Sequence, residues 1–247
     1  MPGQACPRCD GTGWKIIERD GVSAAERCEC SVVSRARVLE ETAGIPPNYA
    51  NASFESFLLP EDNPISRKAL SKVMVDVRSY TREFPAVDRP GLLFIGEPGT
   101  GKTHLAVAAL RLLISRGFEG VFYDYQNLLD RIRASFDKDS GTSDREAYQR
   151  ALDSEILLLD DLGAHRVTSW VEDVVTSIIT YRCNHRKPLI ATTNLPEETV
   201  GRKEGGSFDY RSTLPERIGS RAYSRMYEMC RIIRMPMVED YRVKTAR

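Results

Sequence analysis

The stretch Gly96-Glu97-Pro98-Gly99-Thr100-Gly101-Lys102-Thr103 restricts this chain more than any other. It fits the pattern G-x-x-x-x-G-K-[ST], a loop that wraps a polyphosphate. Glycines let the backbone curl until successive N–H groups converge on one anion. The helix that starts there adds the positive end of its dipole. In such a loop Lys102 can reach the β- and γ-phosphates, and the Thr103 hydroxyl can hold Mg2+. His104, next in the chain, is a neighbour of the nucleotide or a structural side chain. The flanks agree with the motif. Leu92-Leu93-Phe94-Ile95 is a continuous apolar run, the pattern of a strand buried on both faces. Residues 103–114 are rich in Ala and Leu and read as a packed helix.

A second landmark is Ile156-Leu157-Leu158-Leu159-Asp160-Asp161. A buried strand ending in acids delivers carboxylates to the crevice where α/β sheets bind ligands. There Asp160 would hold Mg2+ through its water shell, and Asp161 would orient or deprotonate an attacking water. The rival reading is two carboxylates that cap a turn or the next helix. Residues 188–194 form another buried run ending in polar groups, and Asn194 stands where it could hold the water or touch the γ-phosphate.

The rest of the chain alternates strands and helices, which means a parallel sheet with crossover helices. We expect strands at 120–123 and 229–235. Helices are expected at 64–84, 127–136, 144–152 and 168–186, with loops at 137–143 and 201–207, the second of them mobile. On the 64–84 helix Ile65, Leu70, Val73, Met74, Val77 and Tyr80 fall along one side. Arg131, Arg133 and Lys138 are a solvated face or phosphate contacts for single-stranded DNA. Cys183 and His185 read as packing and surface. Pro215 opens a helix on which Arg217 and Arg221, four apart, share one face. They are solvated residues, or a finger reaching a neighbour's γ-phosphate, which makes sense only in an oligomer.

Composition sets the outer limits. The 247 residues suffice for one large domain and a small appendage. Lys+Arg and Asp+Glu are both 35, so the total charge neither suggests nor excludes nucleic acid. With 41% hydrophobic and 28% charged residues this is an ordinary soluble globular composition. No apolar run approaches a membrane span, and the N-terminus has no apolar core of a secretory signal, so the expected location is the cytoplasm. In that reducing compartment the six cysteines argue for metal or free thiols rather than disulfides.

Cys6, Cys9, Cys28 and Cys30 cluster at the start. Two close pairs suit a tetrahedral structural Zn2+ site, which would fold a segment too short to build a core. The second pair, C-x-C, is tighter than the usual spacing. A redox pair and unliganded thiols are the alternatives. A helix at 31–43, capped by Ser31, follows. Then Ile45-Pro46-Pro47-Asn48-Tyr49 is an extended linker. Ser53-Phe54-Glu55-Ser56-Phe57 anchors that linker on the core or lies beside the adenine. The expected division is a zinc-binding appendage with its helix at 1–43 and an ATPase core at 44–247.

Taken together, these landmarks resemble one family: AAA+ ATPases of the DnaC/DnaI helicase-loader and IstB transposition-helper group. The resemblance rests on the phosphate loop, on 157–163 (Leu-Leu-Leu-Asp-Asp-Leu-Gly), on Ala191-Thr192-Thr193-Asn194, and on Glu216 to Arg221 running into Tyr223-Ser224-Arg225-Met226. The 44–49 and 53–57 segments also look like the family's entry into its core. It covers about residues 44–240. It implies a P-loop sheet of five strands in the order 5-1-4-3-2 and ATP bound between subunits of a homo-oligomer. It implies Asn194 as a sensor and Arg221 as the arginine finger, with Arg217 its helper. The partners it implies are single-stranded DNA and a replicative helicase or a transposase. It also implies that the four N-terminal cysteines are a reduced form of a zinc-binding, helicase-contacting domain. Two departures stand out. Many AAA+ proteins carry Asp-Glu where this chain has Asp160-Asp161, which implies slow or partner-stimulated hydrolysis. The last strand also lies close to Arg247, which leaves little room for a helical lid with a second sensor arginine. Rival functions are a small-molecule phosphotransferase and a non-hydrolysing adaptor gated by ATP.

Overall fold

The computed structural model describes residues 6–10, 12–19, 22–135, 142–164, 168–197, 212–238 and 241. It opens with an antiparallel hairpin, β1 (Trp14–Arg19) and β2 (Val22–Arg27), followed by α1 (Glu29–Thr42). The sequence reading did not anticipate the hairpin. Its short strands carry apolar residues on both faces, so they lack the clean alternation that betrays a half-buried strand. Helix α1 also begins earlier than expected. Cys28 is its N-cap, and the Ser31 hydroxyl donates to the Cys28 carbonyl at 2.7 Å instead of capping the helix.

The linker leads through a short 3-10 turn to α2 (Pro64–Glu83), whose N-cap Asn63 accepts from the Ser66 N–H. One expected inward residue faces out: Ile65, in the first turn of α2, is 83% exposed. The core then runs β3 (Gly91–Ile95), α3 (Lys102–Ser115), β4 (Gly120–Asp124), α4 (Tyr125–Ala134) and α5 (Thr142–Asp153). It continues with β5 (Ile156–Asp160), α6 (Ser169–Asn184), β6 (Leu189–Thr193), α7 (Leu214–Ile218), α8 (Ser220–Met229) and β7 (Cys230–Arg234). Helix α4 starts two residues before the expected point because Asp124, at the strand end, accepts the Asn127 N–H at 2.8 Å. Of the expected loops, 137–141 and 201–207 lie outside the described residues, while Thr142 opens α5.

The five core strands pair in parallel in the order β4-β5-β6-β3-β7, the order implied by the family resemblance. Side chains alternate between two apolar layers, as a period of two requires. Leu92, Phe94, Leu158 and Ile190 pack with α2 and α3. Leu93, Ile95, Leu157, Leu159 and Ala191 pack with α4 to α8. Each fully buried Leu or Phe contributes about 1.5–3 kcal/mol of transfer free energy. Because both faces are covered, the sequence shows unbroken apolar runs, and every strand ends with its C-terminus on the same edge of the sheet.

Candidate nucleotide and metal sites

That edge collects the chemistry. The loop from Gly96 to Gly101 leaves β3 and turns into α3, with Gly99 at φ +74° and Gly101 at φ +90°. Gly101 is the N-cap and supplies no side-chain bond, so no cap side chain competes for the first-turn N–H groups. A Cβ at Gly101 would lie 2.5 Å from the Phe57 ring, so the glycine also lets the linker close over the loop. Inside the loop, Thr100 Oγ1 and Lys102 Nζ both donate to the Glu97 carbonyl, at 2.9 and 2.8 Å. Lys102 is buried and Pro98 is exposed at the rim. The Gly96 N–H donates to the Thr193 carbonyl at 3.3 Å, which ties the loop to β6.

Thr103 Oγ1 donates to Asp160 Oδ1 at 2.9 Å across the gap between α3 and β5. These are hard oxygen donors, the type that Mg2+ takes. Asp160 is buried, and burial pushes its carboxyl above the usual carboxylate range; the Thr192 hydroxyl works against that, and the Asp161 charge adds to it. A carboxylate so desolvated gains from a cation beside it, so the donor set fits the metal. Asp161 lies one step past the strand in a left-handed backbone, φ +53°, a conformation that Asp tolerates better than most side chains. Asn194 Nδ2 donates to Asp161 Oδ1 at 3.0 Å. Five of the expected residues, Lys102, Thr103, Asp160, Asp161 and Asn194, thus meet at one place through the phosphate loop, β5 and β6.

The remaining expected residues lie elsewhere. His104 turns toward the linker: its Nε2 is 2.9 Å from the Ser53 carbonyl and 3.3 Å from Ser56 Oγ, and its ring meets Phe57 edge-on at 5.4 Å. Phe54 is buried in the core. Arg217 and Arg221 do not share a helix, as the spacing implied. Gly219, at φ +83°, breaks the segment into α7 and α8. The half-buried Arg217 leans over Gly163, where an added Cβ would come 3.2 Å from its own. Arg221, in the first turn of α8, is exposed and has no hydrogen bond or ion pair among the described residues. Lys138 lies outside the described residues. Arg131 and Arg133 stack on Tyr123 and Trp170, at 5.9 and 4.7 Å from the ring centroids. The sequence reading missed Thr192, a fully buried hydroxyl whose one signal was a polar residue inside an apolar strand.

The four N-terminal cysteines form a second cluster. Cys9 and Cys30 Sγ are 3.3 Å apart, Cys6 and Cys28 Sγ 3.9 Å, and all four sulfurs lie within 4.8 Å of one another. Tetrahedral Zn2+ with sulfur at about 2.3 Å sets its sulfurs about 3.8 Å apart, so the cluster fits the ion. The short contacts join the two pairs rather than closing a C-x-x-C disulfide. The tight C-x-C works because Cys28 is the N-cap of α1 and Cys30 sits in its first turn. Cys30 is pushed up to about 12 by the neighbouring thiols, Cys9 first and then Cys28.

Residues 78–203, just over half the chain, match the family model of the IstB-like ATP binding protein. The chain belongs to this family. ATP is therefore the nucleotide that the phosphate loop implies. Among relatives, this IstB-like chain is 27% identical over 171 residues to the replicative helicase loader DnaC of Escherichia coli (strain K12), covering 67% of this chain and 66% of the relative. The chain thus spans just under two thirds of that relative's length. In structure it resembles the DnaC helicase loader with a TM-score of 0.61 and 29% identity, over 77% of this chain and all of the other. The DnaI structure matches at a TM-score of 0.57 and 21% identity, over 82% and 98%, a likeness of fold. No helix among the described residues is long and apolar enough to cross a membrane.

Proposed function

We propose that this IstB-like protein is a Mg2+-dependent ATPase that switches an oligomer on single-stranded DNA and delivers a replicative helicase. One observation carries the reading: Lys102, Thr103, Asp160, Asp161 and Asn194 converge at the C-terminal edge of a sheet like that of a helicase loader. Backbone N–H groups at 97 and 99–101, together with Lys102, would cradle the phosphates. Thr103 and Asp160 would hold Mg2+, which draws charge from the β- and γ-phosphates. Asp161 and Asn194 would place the attacking water. Arg221, exposed and unpaired among the described residues, is suited to act on the ATP of a neighbouring copy, with Arg217 as its support. Residues 1–43 form a zinc-held appendage to a core at 44–247, and the protein works in the cytoplasm. A second reading, a transposition helper that marks target DNA, is favoured by the IstB-like match itself.

The test is ATP hydrolysis with and without single-stranded DNA. DNA should raise the rate of the wild type. Lys102→Ala should abolish hydrolysis together with ATP binding. Arg221→Ala should keep ATP binding and lose the stimulation. A rate indifferent to DNA would sink the DNA switch, and normal stimulated turnover in Arg221→Ala would remove the finger.

A further inference from the structure

Between the two carboxylates of the catalytic edge stands a hydroxyl that the reading above does not use. Thr192, in β6, is fully buried. Its Oγ1 donates to Asp160 Oδ1 at 2.6 Å and accepts the Asp161 backbone N–H at 3.0 Å. One hydroxyl therefore holds the side chain of one acid and the main chain of the next. Thr103 donates to the same Oδ1. No described residue donates to Oδ2, which leaves that oxygen to the water shell of a cation. The neighbouring backbone is tied to β6 as well: the Leu162 N–H donates to the Thr192 carbonyl, and Thr193 Oγ1 donates to the Leu162 carbonyl, both at 2.8 Å.

We infer that Thr192 is the positioning residue of this site: its hydroxyl sets the Asp160 carboxylate toward Mg2+ and holds Asp161 in the left-handed step that lifts its short side chain toward the water. The physical need is specific to this chain. Asp161 is one methylene shorter than the Glu common at that place, so its reach depends on where its backbone sits. A left-handed step in a residue with a Cβ is strained and persists only where the surroundings impose it. Beyond the hydroxyl of Thr192, those surroundings are the bonds of Leu162 to the Thr192 carbonyl and the Thr193 hydroxyl, and Asn194. Groups that hold a metal ligand in place typically account for about 10–100-fold in metal affinity or activity. Valine matches threonine in shape and lacks the hydroxyl, so it would leave the packing and remove both bonds. This inference rests on the proposed ATPase reading.

The experiment compares Thr192→Val and Thr192→Ser with wild type, after thermal melting has shown all three folded. Affinity for a fluorescent, non-hydrolysable ATP analogue is titrated against Mg2+, and kcat and KM for ATP are measured separately. We expect Thr192→Val to bind the analogue normally without Mg2+, to need about ten-fold more Mg2+ for the tighter state, and to lose about 10–100-fold in kcat with little change in KM. Thr192→Ser should return both within about three-fold, because the hydroxyl and not the methyl does the holding. Wild-type Mg2+ dependence in Thr192→Val, or a Thr192→Ser as impaired as Thr192→Val, overturns the inference. If the wild type binds ATP and hydrolyses none, the ATPase reading falls, and the Mg2+ titration still decides for or against Thr192.

Discussion

The cysteine cluster and the carboxylate edge are both small groups of side chains gathered at one point, yet they are held in opposite ways. The carboxylate edge borrows its order from the sheet. Leu157, Leu158, Ile190 and Phe94 have no exposure, and the polar atoms at the strand ends are placed by a core far larger than the site. Among the described residues the cysteine cluster has no such core. Trp14, Ile16 and Val22 of its hairpin are 51, 81 and 66% exposed, and a two-stranded hairpin alone is marginal in water. Among the described residues its order comes from four sulfurs and a few turn bonds, such as Gly13 N–H to Cys9 Sγ at 3.3 Å. The contrast teaches that a buried carboxylate site can be local in function and global in stability, whereas a sulfur site can be local in both. Helix α1 joins them: its first turn carries Cys30, and near its other end Glu40 meets Arg111 of α3 at 2.7 Å.

The largest effect is expected from removing the zinc that the four cysteines are proposed to hold. Structural zinc supplies on the order of 10 kcal/mol to a small site. A strong chelator, or Cys9→Ser, should therefore abolish amide-exchange protection across the β1–β2 hairpin while the core melts within a few degrees of its usual temperature. If the core unfolds with the hairpin, the two regions are one cooperative unit and the contrast is wrong. Next comes the core itself. Phe94→Ala should destabilise the five-stranded core by about 3–5 kcal/mol, read as a fall in the denaturant midpoint, and leave any zinc content unchanged. Loss of zinc in that variant would show that the cluster also leans on the sheet. The smallest effect belongs to the joint. Arg111 donates to Glu40 and, at 2.8 Å, to the Ala52 carbonyl, but it is partly exposed. Arg111→Ala should cost about 1 kcal/mol or less and speed exchange at the C-terminal end of α1 without touching the hairpin. Faster exchange in the hairpin would mean that α1 transmits order from core to cluster.

Much of this was legible beforehand, for a reason visible in particular residues. A parallel sheet covered on both faces needs unbroken apolar strands, and Leu92 to Ile95, Ile156 to Leu159 and Leu189 to Ala191 announce themselves by that alone. The phosphate loop is legible because glycine takes the left-handed backbone at 99 and 101 far more readily than other residues. What stayed hidden depended on neighbours distant in sequence. His104 reads as a possible ligand until Ser53 and Phe57 are found beside it. The parting of Arg217 from Arg221 is different, a local signal passed over: Gly219 between them disfavours one continuous helix and takes φ +83°.

By itself, then, the amino-acid order determined the core strands, the phosphate loop, the acids at the strand end and the four-cysteine pattern, because each is a local matter of periodicity or backbone freedom. Tertiary structure alone decided which of these meet. Thr192 lies more than thirty positions from Asp160 yet holds it, since parallel pairing of β5 with β6 brings two strand ends to one edge. No local rule carries that information: the contact exists only once the sheet has formed.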